Sequence, residues 1–478
     1  MNHCHWIALI LSLVAARVAA VKVGIVGGGI GGASTALYVR RLFGDDADIE
    51  LFEMGRLGGR LAVEELDGHR YEAGGSVIHT KNRCMMELIE SLGLQTKPAM
   101  GGTFGLWNGR ELVFTSSTWS AITSAKLLWR YGSDVFRLRR LLSATLAKFD
   151  GIYSLLDSGA AYDTVEDLIM AMDPSLVKLT GLPLSQYLKL SGFQEGFISE
   201  LVTAVTLNNY GQRPDRLHAL VGLVGLAGAG DELTSVLGGN YQVVERAVQQ
   251  SGASLRSERV LTVEFIGESF LVTTGWAAES DSRQTRSFDI VVVAAPQTED
   301  QPSRVEWLGL PAPLQFPGTY HQLSVTFVEA KLRGDPFSTS TVPDDIFCTA
   351  GCSDELNSIG SQTPVNETSK DVLGDLSVHK VFSNSALGKE LLQRLFVDPQ
   401  RQEEVSWRAY PQYNPRLGPA GLGNFTIINN LYYLSSVEQA ASAMEMSALA
   451  ARNVANMAYT RWYNRSPPDL RKIKHTEL

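Results

Sequence analysis

Val21-Lys22-Val23-Gly24-Ile25-Val26-Gly27-Gly28-Gly29-Ile30-Gly31-Gly32 is the stretch that decides the fold. Its first six residues are mostly apolar and valine-rich, the pattern of a strand buried in a parallel sheet. Gly27 to Gly32 then fits G-x-G-x-x-G. Gly27 allows a tight turn, Gly29 lets the backbone approach a pyrophosphate, and Gly32 lets helix and strand pack closely. Ala33 to Phe43 follows with apolar residues at helical spacing, and Ile49–Glu53 reads as a second strand. The unit is strand, turn, helix, strand. Orphan N–H groups at the helix start would hold phosphates. Glu53 ends the unit where a carboxylate accepts ribose hydroxyls.

Two further glycine clusters point to FAD rather than NAD. Arg56-Leu57-Gly58-Gly59-Arg60 follows Glu53 closely. Its glycines bring backbone near a diphosphate, and Arg60 can neutralise that charge with a forked contact. Glu72-Ala73-Gly74-Gly75-Ser76-Val77-Ile78-His79 comes next. Gly74 and Gly75 suggest close approach to a flat ring system. His79 is a candidate catalytic residue at the flavin, with a hydrogen-bonded structural histidine as the alternative. Val260, opening a later strand, and Glu438 and Ala441 near the C-terminus complete the candidate cofactor contacts. No cysteine is placed for late-chain attachment, so non-covalent FAD is expected.

The chain has 478 residues, more than one hydrophobic core usually holds, so at least two domains are expected. The expected fold class is mixed α/β: a split, Rossmann-like FAD domain of the amine-oxidase or glutathione-reductase type plus a substrate domain with a mixed sheet and helices. The expected division gives residues 21–100, 208–315 and 420–465 to the FAD domain, and 101–207 and 316–419 to the substrate domain. A net charge of -9 argues against nucleic acid as a partner.

Residues 1–20 read as a signal peptide, because a short apolar run from Trp6 to Val14 is followed by small residues. The expected location is the secretory pathway, in a lysosome or vacuole lumen, with the ER lumen and the extracellular space as alternatives. Sequons at Asn366, Asn424 and Asn464 fit that route. Cys348 and Cys352 can pair across a short loop; three free thiols, with Cys84, are the equal alternative.

Residues 85–207 read as largely helical, with Arg130, Arg137, Arg139 and Arg140 interleaved with Trp119, Leu127, Leu128 and Phe136. A solvated helix face is the plainer reading of that cluster, and peripheral association with acidic lipid is the sharper one. The apolar stretch 217–229 reads as a core helix or as the lining of a tunnel. Asp335 to Thr368 reads as loop, Leu431–Leu434 as a late strand, and Glu438–Tyr459 as a helix that aims its N-terminus at the flavin.

Several stretches resemble the prenylcysteine oxidase family, called farnesylcysteine lyase in plants. They are Tyr71 to His79, Leu128-Trp129-Arg130-Tyr131-Gly132, Asn209-Tyr210-Gly211-Gln212, Leu431-Tyr432-Tyr433-Leu434, and Glu438 with Ala440 to Ala448. The resemblance covers nearly the whole chain after the leader. It departs at His79-Thr80-Lys81-Asn82, which puts the role of His79 in question. It implies FAD-dependent oxidation of S-farnesyl- and S-geranylgeranyl-cysteine by molecular oxygen, giving a prenyl aldehyde, free cysteine and hydrogen peroxide. The allylic C–H beside sulfur is a good hydride donor, so no strong general base is implied. An amine oxidase or carotenoid desaturase is the competing reading, kept open by Trp407, Tyr410, Tyr413, Tyr432 and Tyr433. A lumenal binding protein without flavin is the third.

Overall fold

The computed structural model describes residues 20–99, 101–229, 232–275, 283–368, 377–413, 415 and 421–469. The first strand, Val21–Val26, lies inside a six-stranded sheet. Its order is Ser254–Arg256, Ala47–Phe52, Val21–Val26, Ile290–Val293, Leu431–Tyr433, Thr426–Ile428. The first five strands run parallel and the last is antiparallel. Parallel sheets are covered on both faces, which is why Ile290–Val293 is apolar throughout. Val23, Ile25 and Val292 pack beneath the helices Ile30–Phe43 and Met444–Tyr463. Val26, Val291 and Val293 pack against a crossing sheet that contains Val260–Phe265 and Phe270–Thr274.

A second, mixed sheet has seven strands in the order Phe396–Pro411, Tyr320–Leu332, Val378–Ser383, Leu356–Ser361, Asp345–Cys348, Phe104–Trp107, Leu112–Thr115. The chain passes between the two sheets four times, so each sheet is assembled from separated segments. Helices from residues 120 to 227 form an apolar cluster with Leu106 and Phe114 of the second sheet.

Two expectations are corrected, and the two readings of the cysteines are resolved. Asp335 to Thr368 is not a loop throughout, because it holds the strands Asp345–Cys348 and Leu356–Ser361. Their polar side chains are satisfied in place: Ser358 Oγ donates to Asn208 Oδ1 at 2.8 Å and Asn357 Nδ2 to Asn384 Oδ1 at 2.9 Å. Sheet pairing therefore outweighs composition. The late helix begins at Met444, not Glu438, since Leu434–Gln439 is a 3-10 turn pinned by Ser435 Oγ on Ala294 O and Ser436 Oγ on Asn424 O. The three described cysteines are buried free thiols, and Cys352 Sγ donates to Trp107 O at 3.1 Å.

Helix Ala219–Ala227 packs as an interior helix. Gly222 sits against Leu184 and Gly225 against Tyr210, and Leu220, Val221, Leu223 and Leu226 are all buried. The candidate leader, residues 1–20, lies outside the described residues except for Ala20. Among the described residues no helix is long and apolar enough to cross a membrane.

Candidate active site

The glycine turn is a close-packed structure with one open position. Gly27 adopts φ +108° and its N–H donates to Phe52 O at 2.8 Å. A Cβ on Gly32 would lie 1.9 Å from Gly27 O, so only glycine fits there. Over Gly29 the space is open, and a Cβ would meet nothing nearer than Gly58 O at 3.9 Å. Gly29 is the N-cap of helix Ile30–Phe43, which has no side-chain cap and no acidic residue in its first turn. Its orphan N–H groups and positive dipole end are thus left for an anion.

Gly58 and Gly59 form the opposite wall. Gly58 N–H donates to Gly28 O at 2.9 Å, and Gly29 and Gly58 pair as a single parallel bridge. Glu53 stands at the lip. Its Oε2 accepts the Gly28 N–H at 2.8 Å and its Oε1 the Gly55 N–H at 2.7 Å, leaving each oxygen a lone pair for a ligand hydroxyl. Val260 is buried with Val26 and Phe52, four residues beyond Arg256, whose carbonyl accepts the Glu53 N–H at 3.0 Å. An uncapped helix start, an open glycine notch and an adjacent carboxylate fit the pyrophosphate and ribose of a dinucleotide.

Arg60 departs from its expected role. Its fork grips Glu438, with both guanidinium nitrogens 2.7 Å from the carboxylate oxygens, and Nη1 also donates to Ala409 O at 2.7 Å. Burial opposes the charge on Arg60, but the neighbouring carboxylate outweighs it and holds the pKa above its ordinary value. The fork is fully engaged, so the backbone notch remains for the diphosphate. Tyr320 Oη donates to Glu438 Oε2 at 3.1 Å and Ser442 Oγ to the same oxygen at 3.1 Å. The pair thereby joins the Gly59–Gly74 region, the second sheet and the C-terminal segment at one point.

Sequence reasoning missed His218, the N-cap of helix Ala219–Ala227. Its Nδ1 accepts the Val221 N–H at 3.2 Å, so the proton is on Nε2, which donates to Gln439 O at 3.0 Å. Burial lowers its pKa to about 4 and keeps the ring neutral. It fixes the backbone next to Glu438. A lone histidine before an apolar run carries no sequence signal for that contact.

Gly74 and Gly75 serve packing. A Cβ on Gly74 would lie 1.9 Å from Arg60 O, and Gly75 N–H donates to that same oxygen at 3.1 Å. The loop is further tied by Asn240, whose N–H donates to Glu72 Oε1 at 2.6 Å and whose Nδ2 donates to Gly75 O at 2.8 Å. Burial pushes Glu72 up to about 7, and Lys380, lowered to about 8 by burial, donates to the Glu72 carbonyl at 3.0 Å.

His79 pairs with Leu233 in a small three-stranded sheet, and its Nδ1 accepts the Lys81 N–H at 3.1 Å. Burial lowers its pKa. No hydrogen bond links it to the Arg60–Glu438 cluster. Ala441 is fully buried, while Ser442, Ala443 and Met444 beside it are partly exposed. The side of the C-terminal segment open to a ligand is therefore 442–444, and Ala441 is a core contact.

Tyr410, Tyr413 and Tyr433 are engaged edge-on with neighbouring rings, and Trp407 lies against Gly74, 3.1 Å from where a Cβ on it would stand. Tyr410 meets Tyr210 edge-on, centroids 4.9 Å apart at 70°, and Tyr413 meets Tyr210 at 5.5 Å and 81°. Tyr433 packs on Phe316, and Tyr432 lies in the sheet core under Arg461.

This geometry defines a class: a two-domain oxidoreductase fold in which a split dinucleotide-binding domain meets a mixed substrate-side sheet. Among solved structures the chain is similar to cyclohexylamine oxidase from Brevibacterium oxydans IH-35A (TM-score 0.62, 17% identity, 93% of this chain and 100% of that one). It is also similar to a CLA-producing fatty acid isomerase from P. acnes (TM-score 0.63, 13% identity, 91% and 97%). At these identities the likeness concerns the fold. The NAD(P)-binding Rossmann-like domain model matches residues 25–92, and the prenylcysteine lyase model matches residues 114–468. Mouse prenylcysteine oxidase 1 is 36% identical over 462 residues, covering 92% of this chain and 89% of the relative, and the human protein is 35% identical over 457. Cattle prenylcysteine oxidase 1-like is 30% identical, covering 96% and 93%. The chain belongs to the prenylcysteine lyase family.

Proposed function

We propose that the protein is an FAD-dependent thioether oxidase that cleaves S-farnesyl- or S-geranylgeranyl-cysteine. The observation that carries the reading is the open notch between Gly29 and Gly58, with Glu53 at its lip, in a chain that is 36% identical to a prenylcysteine oxidase over 92% of its length. Bound FAD supplies a two-electron acceptor for the C–H beside sulfur and passes the electrons to oxygen. The balance is thioether, water and oxygen going to prenyl aldehyde, free cysteine and hydrogen peroxide.

The chain's own residues hold and exclude. N–H groups of the first helix take the diphosphate, and Glu53 takes ribose hydroxyls. Arg60 is oriented by Glu438 and also reaches Ser442 Oγ at 3.2 Å, so the pair fixes the start of the 442–444 backbone. Tyr210, Tyr410 and Tyr413 are densely packed there and keep water out. His218 stays neutral and moves no proton. Identity of 36% to a prenylcysteine oxidase, against 17% to an amine oxidase, favours this reading over amine oxidation.

Passage through the secretory pathway to a lysosome or vacuole belongs to the same proposal. It is supported by the exposure of Asn366, Asn424 and Asn464, each open to glycosylation. Peripheral contact with membrane would bring the enzyme to an amphiphilic substrate. Peroxide release on adding farnesylcysteine, against none with a polyamine, tests the activity. A polyamine-driven release alone would overturn it.

A further inference from the structure

Exposed apolar surface is concentrated at one corner of the molecule. In helix Ser120–Tyr131 only Tyr131 is buried. Trp129 is 89% exposed, and Trp119, which caps the helix, is 72% exposed. Phe136, in the following helix Asp134–Asp157, is 61% exposed. Trp119, Ile122, Lys126 and Trp129 recur at three- and four-residue spacing and form one stripe. Short helices are held in proteins by burying an apolar face; this one turns only Thr123, Leu127 and Tyr131 inward and leaves the aromatic stripe uncovered.

Its attachments leave the aromatic side chains free, and Lys126 Nζ on the stripe itself donates back to Thr115 O at 3.0 Å. Thr123 Oγ1 accepts the Ser117 N–H at 2.8 Å, and Arg130 forks onto Glu200 with two contacts of 2.7 Å. Tyr131 Oη donates to Glu200 at 2.7 Å. These bonds hold the helix firmly while presenting its aromatic stripe outward.

Charge singles out the partner. The whole chain carries -9, yet residues 119–140 hold five basic residues and one acidic one; with Arg130 paired to Glu200 and Arg137 to Asp134, Arg139 and Arg140 remain as uncompensated charge. That acid, Asp134, is buried and accepts the Gln194 N–H and an Arg137 contact, so it offers nothing outward. Arg139 and Arg140 share a face with Phe136 by spacing and are exposed. They have no hydrogen bond or ion pair among the described residues. A second copy would bring the same positive charge to this corner. An anionic lipid surface complements it, and tryptophan favours the headgroup boundary.

We propose that the Trp119–Arg140 corner docks the protein onto anionic bilayers. Trp119, Trp129 and Phe136 enter the headgroup boundary, and Arg139 and Arg140 meet the acidic headgroups. This surface does not depend on the prenylcysteine reading, because it lies apart from the Arg60–Glu438 cluster and involves none of its residues.

The test is flotation of the flavin-loaded full chain with vesicles of phosphatidylcholine, alone or mixed with phosphatidylserine. Binding is expected to the mixed vesicles, to weaken in high salt, and to fall roughly thirtyfold in R139Q/R140Q, about fivefold per charge lost. W119A/W129A should also lose binding, with flavin content and turnover of dispersed farnesylcysteine unchanged in both variants. Equal binding of either pair and the parent overturns the proposal, as does failure of the parent to bind the mixed vesicles. So does a concentration-dependent dimer in lipid-free sedimentation velocity that W119A/W129A abolishes, because a second copy would then occupy this face. Loss of turnover with binding intact would count against the substrate reading alone.

Discussion

Glu53 has two tasks at one lip: it accepts two backbone N–H groups and presents its remaining lone pairs outward. Glu53→Ala removes both. A hydrogen bond to a charged group contributes about 1.5–3 kcal/mol, so flavin retention on dialysis should fall roughly tenfold or more. Unchanged flavin content would contradict the placement. Glu438→Gln keeps the shape of the Arg60 partner and removes its charge. A buried pair broken on one side costs about 3–5 kcal/mol, and the partial exposure of Arg60 reduces that to about 2 kcal/mol. Urea unfolding should shift accordingly, with lower flavin occupancy. His218 gives a pH signature. Its folded pKa of about 4 lies below the ordinary 6.5. The unfolded chain therefore binds the proton first as pH falls, and the stability linked to His218 is complete above about pH 6.5 and is lost towards pH 4. The loss is at most about 3 kcal/mol, and His218→Gln should flatten this part of the stability–pH curve. A curve of the same slope in that variant would assign the effect elsewhere.

At the scale of elements, the first turn and helix allow a sharper distinction. Gly32→Ala places a methyl against Gly27 O and should disrupt the turn and the fold around it. Gly29→Ala meets only open space from the protein, so the chain should fold, with near-normal circular dichroism and thermal midpoint, yet hold little flavin. If Gly29→Ala retains flavin, the notch is not the phosphate site. The sequence showed this element well because the steric demands of a dinucleotide turn fall on neighbouring glycines. Arg60 was legible as a functional cation but not as a partner of Glu438, since 378 residues separate the two. Gly74 read as a flavin contact, while its packing against Arg60 O depends on a backbone meeting that no local pattern encodes. Ala441→Leu shows the same limit. Ala441 is a core contact, so overpacking should cost about 1–3 kcal/mol and would not report on the flavin.

For the whole molecule, the split domain follows from strands that lie far apart in sequence but pair in parallel, Val23 with Ile290 and Val291 with Leu431. Valine-rich runs marked Val21–Val26 and Ile290–Val293, and an aromatic run marked Leu431–Tyr433. The Ser- and Asn-bearing strands of the second sheet were hidden because their polar side chains are satisfied by distant partners, such as Asn208 on helix Thr203–Tyr210 for Ser358. If the chain passes through a glycosylating compartment, endoglycosidase treatment should lower its apparent mass, and replacing Asn366, Asn424 or Asn464 by Gln should remove one step each. The central claim is tested most directly by adding farnesylcysteine to the purified, flavin-loaded protein in air and following peroxide, free cysteine and farnesal together. The account predicts that all three rise in equal amounts, and that acid precipitation releases FAD into the supernatant. Flavin-loaded protein that yields neither peroxide nor free cysteine would contradict it.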